Sequence, residues 1–496
     1  MRIAGRNGKG GLSARQREML FVAAAFCLYL CRYAAYGFTY YPLLDDHIQY
    51  YWYPQMEGTF QNVFLHIGTI STRPLAGVFD VYVWGWLYLH APWAILFVTA
   101  ALTVAAVYFL KRILSDMDIQ VGGVFYLLLL FLPVGFEAQY WLSASSRVIV
   151  GVFFTGLSLL FFQRYNRGKR WYWLVLFAVA QLASYCFYEQ TAILSFLLCC
   201  AYFFRTRQSW KMYLIPVLNG CIIAAYYLLM RNVGALSGRG AGLTLAELGP
   251  HIVFMAKEVY HVICMGAVTL NINGVLRGWA LLLETPWLLL LIAVLSGVFA
   301  WLCGRERHKG MFSFWLGAAI ALCSVLLFFV TKDSTLPFRA AYVPLIGVAL
   351  MLGCLLSKLR LGRAVASVLV FVLAFGLNVC NVSEMHDYRE AALIDETICN
   401  NIIAALDEDT LTGARECYVV GAKRTYLNGI VEHREHIINV TSSDWALTGA
   451  VRHYLKGNGY VEMIIPAEQI TDEMLASGAQ ILILNDDFTV SRVEEH

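Results

Sequence analysis

PLAGVFDVYVWGWLYLHAPWAILFVTAALTVAAVYFLKR, residues 74–112, decides how this chain is laid out. A membrane-spanning helix needs about 20 mostly apolar residues, so the segment is long enough for two crossings. Two crossings would put Lys111-Arg112 on the opposite side from the other basic segments. One crossing keeps them together, as the preference of Lys and Arg for the cytoplasmic face requires. We therefore read 74–89 as a helix lying in the outer interface and 92–112 as a span. Tyr82, Trp84, Trp86 and Tyr88 are residue types that settle at headgroup level, and Asp80 sits in their midst. Pro74 suits a helix start, and Pro92 restarts the next helix.

The same logic extends along the chain. Of 496 residues, 59% are hydrophobic and 14% charged; soluble domains carry about 25% charge. Eleven segments read as spans: 20–36, 92–112, 121–137, 147–163, 171–187, 190–204, 211–230, 286–303, 311–330, 340–356 and 364–382. Six polar segments (the N-terminus, 111–112, 164–170, 205–211, 305–309 and 358–363) hold most of the bases of the first 382 residues. They fall alternately between the spans, as cytoplasmic ends do. The N-terminal run lacks a small-residue cleavage site and reads as an uncleaved first span. The expectation is a polytopic α-helical membrane protein of about eleven transmembrane helices. Its N-terminus is cytoplasmic, and its large outer loops are 37–91 and 231–285. Within the second loop, 245–269 reads as a helix on or dipping into the membrane.

Charge divides the chain in two. Residues 1–382 carry a net of +15, and residues 383–496 a net of −12. The acidic tail has a helical pattern at 384–408 and another at 443–456, with short apolar runs at 417–420, 463–465 and 480–484. That alternation predicts a small C-terminal extracytoplasmic α/β domain. The tail has no Gly-rich phosphate loop, which argues against a nucleotide site. No CxxC spacing points to zinc. A Cys399–Cys417 disulfide is an open alternative, and Asn381 and Asn439 head glycosylation tripeptides. The basic runs have membrane flanks, which makes them topology determinants; no nucleic-acid partner is expected.

Chemistry is expected on the outer side, in YYPLLDDHIQYYWYP at 40–54. Asp45 and Asp46 stand side by side at the mouth of the first span, with His47 next. Adjacent carboxylates beside hydrocarbon point to a general base or a metal or phosphate site; the plain alternative is a solvated loop. Arg73 precedes the interfacial helix, where it is either a phosphate fork or an interfacial anchor. Glu137 and Arg147 bracket the polar, aromatic turn EAQYWLSASSR. Glu189 lies between two spans with almost no loop, so it faces the bundle or a cavity. Lys332 and Arg339, around Asp333, are cations suited to a lipid phosphate or merely to a short wet loop. Arg32, one turn before the end of the first span, snorkels or pairs with a loop acid such as Asp80. Arg239 and Lys257 are weaker candidates. No nucleophile elbow, HExxH or Walker sequence is present.

Asp45-Asp46 after the first helix, Arg73-Pro74 leading into a juxtamembrane helix, the Glu137–Arg147 turn and Glu189 together resemble the GT-C superfamily of integral membrane glycosyltransferases. The resemblance covers roughly residues 18–382. It implies a sugar donor linked to polyprenyl phosphate or diphosphate, a lipid or glycan acceptor of the cell envelope, and transfer on the extracytoplasmic side of a bacterial plasma membrane. It implies that Asp45 or Asp46 is the catalytic base or helps bind a divalent cation (Mg or Mn). Asp45 is favoured, with Arg73, Lys332 and Arg339 serving the phosphate. The adjacent pair departs from the Glu-containing and Asp-x-Asp forms of some branches. Two readings from other classes stand beside it: a transporter or flippase for a lipid-linked saccharide, and a scaffold that presents its tail.

Overall fold

The computed structural model describes residues 13–51, 73–230, 244–331, 335–359, 362–422 and 437–493. Helix α1 (Ala14–Ala34) opens on a capping box, in which Ser13 and Gln16 each accept the other's backbone N–H. After a 3-10 turn (Leu44–His47) and a single helical turn (Ile48–Tyr51) comes α2. It runs Pro74–Phe79, widens to a π-turn over Asp80–Trp84 and continues Gly85–His90. Then follow α3 (Pro92–Asp116), β1 (Ile119–Gln120), α4 (Gly123–Leu130), α5 (Phe136–Tyr140), α6 (Leu142–Gly168), α7 (Trp171–Phe187), α8 (Glu189–Arg205) and α9 (Leu214–Met230). Helix α10 runs Leu245–Val259, through a π-turn at Tyr260–Met265, and on to Gly266–Leu283. The bundle is completed by α11 (Pro286–Leu302), β2 (Arg307–His308), α12 (Phe312–Phe329), α13 (Tyr342–Lys358) and α14 (Arg363–Ala405).

Among the described residues, seven helices are long and apolar enough to cross a membrane, or eight if the bent pair 123–140 counts as one. The bend of 50° falls where Phe131, Leu132 and Pro133 interrupt the backbone ladder. The expected spans 171–187 and 286–303 are shorter apolar helices, and α1 and α8 are not in the set. Helices α12 and α13 approach closely because Gly317 and Gly347 face each other's carbonyl oxygens; a Cβ on either would collide with the partner backbone.

The bundle has two chemically different ends. At the basic end β1 pairs with β2, Lys111 pairs with Glu18, Arg17 donates to the Trp301 carbonyl, and Lys309 lies 3.1 Å from Asp118. The other end carries the tail. Helix α2 packs at this second end, where Asp80 meets Arg147 and the preceding Arg73 meets Glu189. Trp86 and Tyr82 face outward, whereas Trp84 and Tyr88 are buried against the bundle rather than belting it.

Helix α10 is the main departure from expectation, because it runs on to Leu283 and leaves no loop there. By length and composition it qualifies as a span. Contacts along its length lie toward the tail end. His251 Nε2 is 3.0 Å from the Phe328 carbonyl oxygen, Gly278 abuts the Val379 carbonyl, and Arg277 bonds Ser383 and Asp387. Phe328 and Val379 each lie about 24 Å along their helices from the basic end, at 1.5 Å per residue. Helix α10 therefore lies across the bundle rather than through it.

Helix α14 continues from the bundle into the tail, so the expected boundary at 382/383 falls inside one uninterrupted helix. The tail adds β3 (Cys417–Val420), α15 (Asp444–Leu455), β4 (Ile464–Ala467), β5 (Gln480–Leu484) and β6 (Val490–Arg492). The sheet order is β4-β3-β5-β6, parallel except for the β5–β6 pair. Its core joins Ile398 and Ile402 of α14 to Val419, Leu447, Val451 and Leu482. Cys399 and Cys417 are free, buried thiols. Asn381 and Asn439 are both buried; their amides donate to the Phe131 carbonyl and the Asp395 carboxylate, which leaves neither tripeptide accessible in the folded chain.

Candidate functional site

The site begins with how the first loop is strapped down. Tyr40 Oη accepts from the Leu142 N–H at 2.8 Å, Tyr140 Oη accepts from the Tyr41 N–H at 2.8 Å, and Trp141 Nε1 donates to the Leu43 carbonyl at 3.2 Å. The polar turn 137–147 is thus the cradle of residues 40–46. Within that loop the two aspartates separate. In a 3-10 turn successive side chains diverge by about 120°, so neighbours face different surroundings. Asp46 points inward and is buried. Its Oδ2 accepts from Tyr40 Oη (2.6 Å) and the Leu43 N–H (3.2 Å); its Oδ1 accepts from the Ser143 N–H (3.1 Å) and Ser143 Oγ (3.0 Å). Burial pushes its pKa up to about 7, against the pull of those four donors. Asp45 is half-buried and within electrostatic reach of Arg339. Leu44, just before it, holds φ at 27°, a sparsely populated backbone conformation.

Arg339 leads into α13 from a 3-10 turn after Pro337. Its Nη1 lies 2.9 Å from Glu137 Oε1, and its guanidinium is 5.0 Å from the Trp141 ring. Arg73 grips Glu189 with Nε and Nη2, at 3.0 Å each, and its guanidinium covers the Tyr188 ring at 4.5 Å. Arg147 and Asp80 form a buried pair at 3.1 Å. Tyr188 is the single extended residue between α7 and α8. Its phenol senses Arg73, Glu189, Arg339 and Arg147 together, which makes it the hub of the cluster.

Asp45, Arg73, Glu137, Arg147, Glu189 and Arg339 thus gather at the tail end of the bundle, from six separate elements. Each arginine already faces a carboxylate, so the arginines are matched in charge and the niche is not basic. His47 does not join them. It is buried against α15, its ring 5.5 Å from that of His453, and neither ring nitrogen has a hydrogen-bond partner. Arg32 pairs with Gln139 Oε1 (3.0 Å) and the Leu130 carbonyl rather than with Asp80. Lys332, Asp333 and Arg239 lie outside the described residues.

No group of three or more His, Cys, Asp or Glu is arranged for a metal ion among the described residues. All four acceptor positions of Asp46 are taken by protein donors, so the adjacent pair does not fit as a two-carboxylate ligand. Reading the sequence missed Tyr188 and Ser143. Nothing local marks either one; only the fold brings Tyr188 among three arginines and Ser143 under Asp46. No protein-family model matches the chain, and no curated protein matches it.

Proposed function

We propose that the chain is an integral membrane glycosyltransferase that moves a sugar from a polyprenyl-phosphate-linked donor to a cell-envelope acceptor on the extracytoplasmic side. The observation that carries this reading is the half-buried Asp45 within electrostatic reach of Arg339, in a cluster where Tyr188 also senses Arg73 and Arg147. Asp45 accepts the proton of the acceptor hydroxyl as that oxygen bonds to the sugar C1. The C1–O bond to phosphate breaks, and the electron pair leaves on the polyprenyl phosphate. The forks of Arg339 and Arg73 meet that phosphate with N–H groups their carboxylates do not use, since a guanidinium offers five donors. Asp46 holds the loop and takes no part in proton transfer.

The test is product analysis with the purified chain in vesicles holding the polyprenyl-linked sugars of its source membrane. The expected result is release of free polyprenyl phosphate with formation of a new glycosidic bond, both lost in Arg339→Gln. The charge match of the niche favours one rival, a flippase that binds phosphate reversibly without a base. That rival predicts transbilayer movement of the donor with no new glycosidic bond, and such a result would displace the transferase reading.

A further inference from the structure

A cavity of about 430 Å³ lies at the basic end, at the other end of the bundle from the cluster around Tyr188. Five bases line it: Arg17 of α1, Lys111 of α3, Arg305 and Arg307 of the segment before α12, and Arg363 at the start of α14. Among the described residues, no carboxylate lines it. This inverts the other end, where every arginine of the cluster faces an acid. Lys111 pairs with Glu18, and Arg17 donates to the Trp301 carbonyl. Glu306, within the same segment, turns to His308 at 3.1 Å instead.

Gathering five like charges around one concavity from four distant segments is unfavourable unless an anion sits among them. Topology alone asks only that bases stay on one side of the membrane, not that they share a cavity. The remaining wall is apolar, from Val121, Ala366 and Val370, and Ser115 and Gln120 add neutral polar groups. A phosphate ringed by cations on one side and by aliphatic groups on the other is the chemistry of a phospholipid headgroup.

We propose that this cavity binds a phosphate group, carried by an anionic lipid of the leaflet at the basic end. The experiment uses the full-length chain in nanodiscs of phosphatidylcholine with graded phosphatidylglycerol, and native mass spectrometry counts retained lipid. In detergent without anionic lipid, pyrophosphate is titrated as a soluble probe. The variant Arg307→Gln/Arg363→Gln removes two exposed cations of the cavity. Arg164→Gln/Arg170→Gln removes the same charge from exposed positions of that end, outside the cavity.

The expected result is retention of phosphatidylglycerol over phosphatidylcholine, weakened about tenfold or more in the cavity variant, as loss of charge-assisted bonds implies. The control variant stays within about twofold, in line with a screened surface charge. Pyrophosphate binding with the same variant dependence, and no lipid preference, would keep the phosphate site but assign it to a soluble ligand. Equal loss in both variants would reduce the cavity to a diffuse positive field and overturn the proposal, as would no loss in either. Melting curves of both variants show whether the fold is kept; should the double variant unfold, Arg307→Gln alone is read in the same way.

Discussion

At the residue scale, two neighbours of identical chemistry have opposite jobs. Asp46 is a strap, because four donors from Tyr40, Leu43 and Ser143 converge on it. Asp46→Asn places an NH₂ against donors, so it should lower stability by about 1–3 kcal/mol. The pH dependence gives a second signature. Burial raises the folded-state pKa of Asp46 above its ordinary value, to about 7. The folded chain therefore holds this proton more tightly than the unfolded chain. The stability it contributes is full at low pH and is lost as pH rises through about 7. The melting temperature of the wild type, relative to Asp46→Asn, should fall from pH 4.5 to pH 8; a flat difference would contradict the assignment. The sequence showed where the carboxylate pair stood. It did not show which member was structural, because the discriminating residue, Ser143, arrives from a different helix.

At the element scale, the π-turn of α2 sets Asp80 against Arg147 instead of Arg32. Asp80→Asn removes the carboxylate that faces a buried guanidinium, which costs about 3–5 kcal/mol. The double variant Asp80→Leu/Arg147→Met should recover much of that loss in a melting experiment. The junction between the first loop and α15 has its own signature. Tyr50 stacks on His453 at 4.4 Å, with His47, Tyr88 and Tyr454 around it. Burial, helped by Lys456, pushes His453 down to about 4. Protonation is thus resisted in the folded state, and docking should weaken as pH falls from the ordinary histidine range toward 4. Hydrogen exchange at residues 44–51 would read this; Gly449→Val should expose the same residues at neutral pH, since a Cβ there meets the His47 carbonyl at 2.5 Å. Most helix positions were legible from apolar run length, and 417–420 and 480–484 are strands as expected. The helix at 245–269 was legible too, but its continuation to Leu283 was not, because that stretch reads as loop in the sequence.

At the scale of the whole molecule, the basic segments and the tail occupy opposite ends of one bundle, and α14 joins them without a break. The proposed orientation is testable in intact cells with an impermeant thiol reagent, on a background without native cysteines. Cysteine introduced at Glu468 should label, and cysteine at Lys309 should label only after lysis. The reverse pattern would place Asp45 and the arginine cluster in the cytoplasm. Charge asymmetry made the two ends visible in the sequence. The convergence of Arg73, Arg147 and Arg339 on Tyr188 was not visible, since those residues are separated by up to hundreds of positions and meet only through packing.

The most direct test of the account compares Asp45→Asn and Asp46→Asn for both sugar transfer and melting temperature, on the same preparations. Asp45→Asn should melt like the wild type and lose transfer by about 100-fold or more, the usual contribution of a general base. Asp46→Asn should melt lower yet transfer normally per folded molecule. Full transfer by Asp45→Asn, with the wild-type melting temperature, would contradict the assignment of Asp45 as the base.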